Sequence, residues 1–141
     1  PEGDYTIPIG VADIKKPGRD VTVVTWSKML GVAFKAAAAL GQEGIDVEIL
    51  DLRTLLPLDK EAVIKSVQKT GRLVVLHEAT RTGGFGGEIA ALAAEEAFSY
   101  LKAPVKRVTA PDIPVPFSPP LEQFYMPNEN QLIEAVKSIV V

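Results

Sequence analysis

Three short runs of apolar and β-branched residues, set between stretches of helical spacing, constrain this chain most. They are Val21-Thr22-Val23-Val24-Thr25-Trp26, Val47-Glu48-Ile49-Leu50 and Leu73-Val74-Val75-Leu76. The first is a β-branched run of strand length, the second a further strand, and the third a continuous apolar run, the pattern of a strand covered on both faces. After the first, Met29, Val32, Ala33, Ala36, Ala37 and Leu40 recur at helical spacing and stop at Gly41 and Gly44, with Ser27 as the expected cap. After the second comes a loop from Arg53 to Leu58. Asp59 then caps a helix over Lys60–Lys69, with Val63, Ile64 and Val67 facing inward and Gly71 as its stop. After the third, the loop Thr82-Gly83-Gly84-Phe85-Gly86-Gly87 opens an Ala-rich helix over Glu88–Leu101. Strands alternating with helices imply βαβ units and a largely parallel sheet with helices on both faces.

The flanks read differently. Residues 1–20 are broken by Pro1, Gly3, Pro8, Gly10, Pro17 and Gly18. Ile7, Ile9, Val11 and, out of phase, Ile14 give a short, imperfect strand signal, followed by a turn at Lys15–Gly18. The opening Pro-Glu-Gly-Asp, with no initiator Met, points to a cut in a longer protein at Pro1. Val105, Arg107 and Thr109 predict a last strand. Residues 111–127 hold Pro111, Pro114, Pro116, Pro119 and Pro120, so an extended surface segment is expected, anchored by Leu121, Phe124, Tyr125 and Met126. Residues 128–141 form a final helix capped by Asn128, with Leu132, Ile133, Val136 and Ile139 as its buried stripe.

Composition narrows the chemistry. The 141 residues make one domain. With no cysteine there is no disulfide, thiolate nucleophile or Cys-based metal site, and a single histidine excludes two-histidine zinc motifs. A net charge of −3 argues against a nucleic-acid partner. No apolar run is long enough to span a membrane, and the first 20 residues carry no signal-peptide core. An intracellular protein is expected.

Few residues remain for catalysis. The glycine loop follows a strand and opens a helix, as phosphate loops do. It fails both fingerprints, however: Ile89 stands where the third glycine of G-x-G-x-x-G would be, and Glu88 replaces the P-loop lysine. Close backbone approach to a neighbour and anion binding are the two readings. His77 and Glu78 lie near a strand end, where acid–base groups can sit. Alternatively the imidazole is satisfied by backbone or faces another subunit. Asp51 and Arg53 suit an ion pair or loop brace. Ser27 and Ser118 lack a G-x-S-x-G setting. Lys15-Lys16 and Lys102–Arg107 are basic patches, either solvated faces or docking spots for an acidic partner. No reaction follows from these residues alone.

The string Ile49-Leu50-Asp51-Leu52-Arg53-Thr54, followed by Pro57-Leu58-Asp59, resembles the signature of the transketolase C-terminal domain family. Within it the chain is similar to the β-subunit of the E1 component of 2-oxo acid dehydrogenase complexes. Supporting stretches are Val21–Thr25 with Met29, Lys69-Thr70-Gly71-Arg72, Ala103-Pro104-Val105 with Arg107-Val108, Ala110-Pro111-Asp112 with Pro116-Phe117, and Tyr5–Gly10. His77-Glu78-Ala79 with Thr82–Phe85 and Glu88-Ile89 looks more like the branched-chain (2-oxoisovalerate) or generic bacterial type than the pyruvate type.

The resemblance implies a three-layer α/β/α fold with a mixed five-stranded, mostly parallel sheet. One edge strand, over Ile9–Ile14, would be antiparallel. It implies an α2β2 enzyme, with an E1 α-subunit and a second β-subunit, that decarboxylates a 2-oxo acid with thiamine diphosphate and Mg and passes the acyl group to lipoyl-E2. Cofactor and catalytic residues would lie outside this chain, so no catalytic, cofactor or metal residue is expected within it. Docking of the E2 peripheral subunit-binding domain would fall on Glu95, Phe98, Lys102, Val140 and Val141. A subunit interface would fall on His77, Glu78, Arg81, Gly83, Gly84, Phe85, Gly86 and Gly87. The compartment would be bacterial or archaeal cytoplasm, or the mitochondrial matrix. Rival readings are the C-terminal domain of a transketolase or 1-deoxyxylulose-5-phosphate synthase, a stand-alone binding module, and an enzyme using His77 and Glu78.

Overall fold

The computed structural model describes residues 2–140; the readings placed on Pro1 and Val141 lie outside the described residues. Five strands, β1 (Asp13–Lys16), β2 (Val21–Thr25), β3 (Val47–Asp51), β4 (Leu73–Thr80) and β5 (Lys106–Ala110), form one sheet in the order β1-β3-β2-β4-β5. The four strands β2 to β5 pair in parallel, and β1 pairs antiparallel with β3 at one edge. The five helices are α1 (Met29–Gln42), α2 (Lys60–Thr70), α3 (Gly86–Glu96), α4 (Pro119–Tyr125) and α5 (Glu129–Val140).

Two apolar layers hold the sheet. Val21, Val23, Ile49, Val74 and Leu76 face α1 and α5, meeting Ala33, Ala36, Leu40, Leu132 and Val136. Val24, Leu50, Leu73 and Val75 face α2 and α3, meeting Val63, Val67, Ile89 and Ala93. The alternation follows from the period of two along each strand. The small face of α1, Ala33-Ala36-Ala37, lets it lie close to the sheet. The three-layer α/β/α architecture is therefore as expected.

Several local expectations hold. Asp59 accepts a bond from the Ala62 amide at 3.1 Å, and Gly71 ends α2 with φ of 72°. Asn128 and Gln131 cap α5 reciprocally, each side chain accepting the other's amide, at 3.1 and 3.0 Å.

Others are corrected. The edge strand is Asp13–Lys16 rather than Ile9–Ile14, so Lys15 and Lys16 are strand and not turn. Ile7, Ile9 and Val11 are exposed; the strand forms where Lys16 Nζ can reach Asp46 and the Val47 carbonyl. Ser27 caps nothing: it sits at a φ of 55° one residue before the Lys28 cap position. The helix over Glu88–Leu101 ends at Glu96, Ala97 leaving helical geometry and a 3-10 turn following at Phe98–Tyr100. Residues 111–127 are not wholly extended. Pro119 and Pro120 occupy the first turn of α4, where a missing amide proton costs no helical bond. Of its anticipated anchor, Tyr125 is buried and Leu121 and Phe124 are exposed.

Candidate functional site: a plugged switch point and two surfaces

The chain moves from β2 to β3 on one side and from β4 to β5 on the other. The strand order therefore reverses between β2 and β4, whose carboxyl ends define the crevice where open α/β sheets bind ligands. Here that crevice is filled. Trp26, just past β2, stacks on His77 of β4 with ring centroids 5.3 Å apart and planes 12° from parallel. Phe85 meets the same indole edge-on at 6.2 Å. His77 is 1% exposed, and neither ring nitrogen finds a hydrogen-bond partner among the described residues. Burial first, then the charge of Arg107, hold the imidazole below its usual value of 6.5. It is a neutral, flat plug near pH 7.

The glycine loop closes over it. A Cβ on Gly86 would lie 2.4 Å from His77 Nε2, and one on Gly84 would lie 2.2 Å from the Thr80 carbonyl and 2.6 Å from His77 Cε1. Glycine is needed at both positions because backbone rides directly on the imidazole. The close neighbour is thus a side chain of the same molecule. The loop's leading end is tied down by Asp112, which accepts both the amide and the hydroxyl of Thr82 at 2.8 Å and is held below the usual carboxylate range by those bonds.

These facts revise several expected roles. His77 and Gly86 are buried within the chain; Arg81 and Gly83 are exposed, and Glu78, Gly84, Phe85 and Gly87 half-buried. No His77–Glu78 pair forms, since consecutive strand residues point to opposite faces. Arg53 pairs with Asp13 at 2.6 Å, not with Asp51, which instead accepts the Arg53 amide at 3.1 Å and braces the loop. The loop does not fit the diphosphate of thiamine diphosphate. His77 fills the space under Gly84 and Gly86, and Glu88 puts a negative charge in the first turn of α3. Among the described residues no group of three or more His, Asp or Glu side chains is placed to hold a metal ion.

Glu95, Phe98 and Lys102 are exposed, Phe98 by 73%, along the run from the end of α3 to the turn after it. The Lys102 amide donates to the Gly71 carbonyl at 2.7 Å, and its side-chain carbons cover Gly71. Next to Gly71, Arg72 Nε donates to the Ile139 carbonyl at 2.7 Å, in the last turn of α5 beside half-buried Val140. One corner, Gly71-Arg72, thus ties Lys102 and the end of α5 together.

A buried carboxylate escaped the sequence reading. Glu48 on β3 is fully buried, pairs with Lys69 of α2 and accepts from the Thr22 hydroxyl at 3.3 Å; Thr22 in turn meets Thr70 at 2.9 Å. The only available signal was a lone charge inside an apolar strand. Among the described residues no helix is long and apolar enough to cross a membrane.

A profile described as "Transketolase, C-terminal domain" matches residues 10–132. The β-subunit of acetoin:2,6-dichlorophenolindophenol oxidoreductase from Bacillus subtilis (strain 168) is 45% identical over 140 residues, 99% of this chain and 41% of that protein. Mitochondrial 2-oxoisovalerate dehydrogenase subunit beta 2 from Arabidopsis thaliana is 47% identical over 140 residues, again 99% of this chain and 38% of that one. Among solved structures, "Split gene transketolase, inactive beta4 tetramer" superposes with a TM-score of 0.83 at 30% identity, covering 97% of this chain and 43% of that chain. The chain spans about two fifths of the length of the curated relatives it matches.

Proposed function

The chain belongs to the transketolase C-terminal domain family, and on that premise we propose that it is the C-terminal domain of an E1-type β-subunit. The enzyme would be a thiamine-diphosphate-dependent 2-oxo acid dehydrogenase. The observation that carries the reading is the likeness at 45–47% identity along nearly the whole chain to β-subunits named for acetoin and for 2-oxoisovalerate. Both are oxidoreductase subunits about two and a half times as long as this chain.

In this role the domain assembles and docks. Its one imidazole is buried and has no hydrogen-bond partner among the described residues, which supports a packing role over a proton relay. Thiamine diphosphate and Mg would be held by residues beyond this chain, between the α-subunit and the rest of the β-subunit, and would supply the carbanion chemistry there. Glu95, Phe98, Lys102, Val140 and Val141 would receive the E2 peripheral subunit-binding domain. Arg81, Gly83 and their neighbours would face another subunit of the α2β2 assembly. The compartment would be bacterial or archaeal cytoplasm or the mitochondrial matrix. The substrate side chain is read elsewhere in the enzyme.

The test is calorimetry on the 141-residue chain. An E2 peripheral subunit-binding domain should bind saturably, while thiamine diphosphate with Mg should give no heat. Cofactor binding at about micromolar Kd, or 2-oxo acid turnover lost in His77→Ala, would replace this reading with that of a self-contained enzyme.

A further inference from the structure

We propose that the Arg81–Arg107 pair is a receptor for a small dicarboxylate, one carboxylate at each guanidinium. The two side chains run past each other in opposite directions. Arg81 Nη1 donates to the Arg107 carbonyl at 3.2 Å, and Arg107 Nη1 donates to the Arg81 carbonyl at 3.1 Å. Each charged head therefore stands at the other residue's backbone, and the two heads lie at opposite ends of the pair. Both residues line one cleft of about 620 Å³, walled by β5 and α5. That volume is within the range of small-molecule sites.

The charge in this cleft is uncompensated. Arg19 and Arg53 have carboxylate partners, at 3.8 and 2.6 Å. Arg81, Arg107 and the neighbouring Lys106 form no ion pair among the described residues. Two guanidinium ions held alongside each other repel, and an anion removes that cost. The clasp takes one N–H from each fork, and the remaining donors have no acceptor among the described residues. Two carboxylates share the lining. Asp112 gives both oxygens to Thr82 at 2.8 Å; those bonds first, then the Arg81 charge, keep it ionised. Glu134 is exposed on α5.

The separation of the heads selects the ligand class. A planar guanidinium fork matches a planar carboxylate through two parallel hydrogen bonds. A single phosphate or monocarboxylate engages one head. A dicarboxylate engages both, the second contact being intramolecular once the first has formed. Its carbon spacer would lie on the aliphatic stems of the two arginines. Arg81 is also part of the surface proposed for another subunit, but clasp and cleft belong to this chain alone and are present without that subunit.

The test is an NMR titration of the 141-residue chain with succinate, glutarate and adipate, and with propionate and inorganic phosphate for comparison. The best-fitting dicarboxylate should saturate at about millimolar Kd, and propionate and phosphate should bind about ten-fold more weakly or worse. Arg81→Gln and Arg107→Gln, each checked by its melting curve, should bring that dicarboxylate down to the propionate level. His77 feels the Arg107 charge, so its imidazole signals should move with the dicarboxylate and stay still in Arg107→Gln. Should Arg107→Gln not fold, Arg81→Gln decides, because Arg81 is exposed. Absent saturation, equal binding of propionate or phosphate, or unchanged affinity in Arg81→Gln would overturn the proposal. None of these results bears on E2 docking, which has its own titration.

Discussion

Gly86 and His77 occupy a single volume: the hydrogen that glycine carries in place of a side chain is what leaves room for the imidazole, 2.4 Å from where a Cβ would stand. Loop and strand therefore have to be read as one unit.

This contact sets the first expectation. Gly86→Ala should cost about 2–3 kcal/mol, because the alanine overlaps a packed ring. Gly83→Ala should cost only about 1 kcal/mol. Its Cβ would meet open space, and only its φ of 73° disfavours it. In a His77→Ala background the Gly86→Ala penalty should largely vanish. Urea midpoints of the four proteins measure this; a Gly83 variant worse than the Gly86 variant would refute the contact.

Stability should depend on pH through His77. The folded imidazole sits below its unfolded value of 6.5, so the unfolded chain binds the proton more readily. Its contribution is complete above about pH 6.5 and is lost as pH falls from there through the folded value. Asp13 and Asp112, both held below 3.8, act only at more acid pH. Thermal melts from pH 8 to 5 should show the decline, and His77→Gln should flatten it.

Glu48 should reveal itself by the asymmetry of its partners. Lys69→Met strands a fully buried carboxylate and should cost about 3 kcal/mol. The double variant Glu48→Leu, Lys69→Met should recover most of that. Denaturant unfolding of the two proteins decides; additive losses would mean that the pair is not coupled.

Phe98→Ala should lower the affinity of an E2 peripheral subunit-binding domain about ten-fold, as loss of an exposed aromatic anchor does. The melting temperature should stay within about 1 °C, since the ring is 73% exposed. An unchanged E2 titration would remove Phe98 from the interface.

What could be read from the sequence was local and periodic. Val21–Thr25, the Ala-rich face of α1, the Asp59 and Asn128 caps and the Gly71 stop all follow from spacing and backbone preference within a few residues. What escaped depended on distant partners. The apolar alternation Ile7-Ile9-Val11 imitates a strand, yet pairing goes to Asp13–Lys16, which meets β3 from 33 residues away or more. The burial of His77 depends on Trp26, 51 positions earlier, and on a loop still to come. Glu48 looks misplaced until Lys69 arrives across a helix. The expected docking residues could be named only through family resemblance; Gly71-Arg72, which holds Lys102 and the Ile139 carbonyl, carries no spacing signal.

The strand order carries a consequence for how the molecule is made. The three inner strands β3, β2 and β4 all lie within residues 21–80, while the edges β1 and β5 come from the two flanks. The shortest pairing in the sheet is β2–β3, 26 residues apart at Val21 and Val47, so that pair closes at the lowest entropic cost, while β2–β4 spans 51 residues from Thr22 to Leu73. Edits in the exposed stretch that holds Ile7, Ile9 and Val11 should then alter what the domain touches long before they alter whether it folds, whereas α5 carries the core residues Leu132 and Val136.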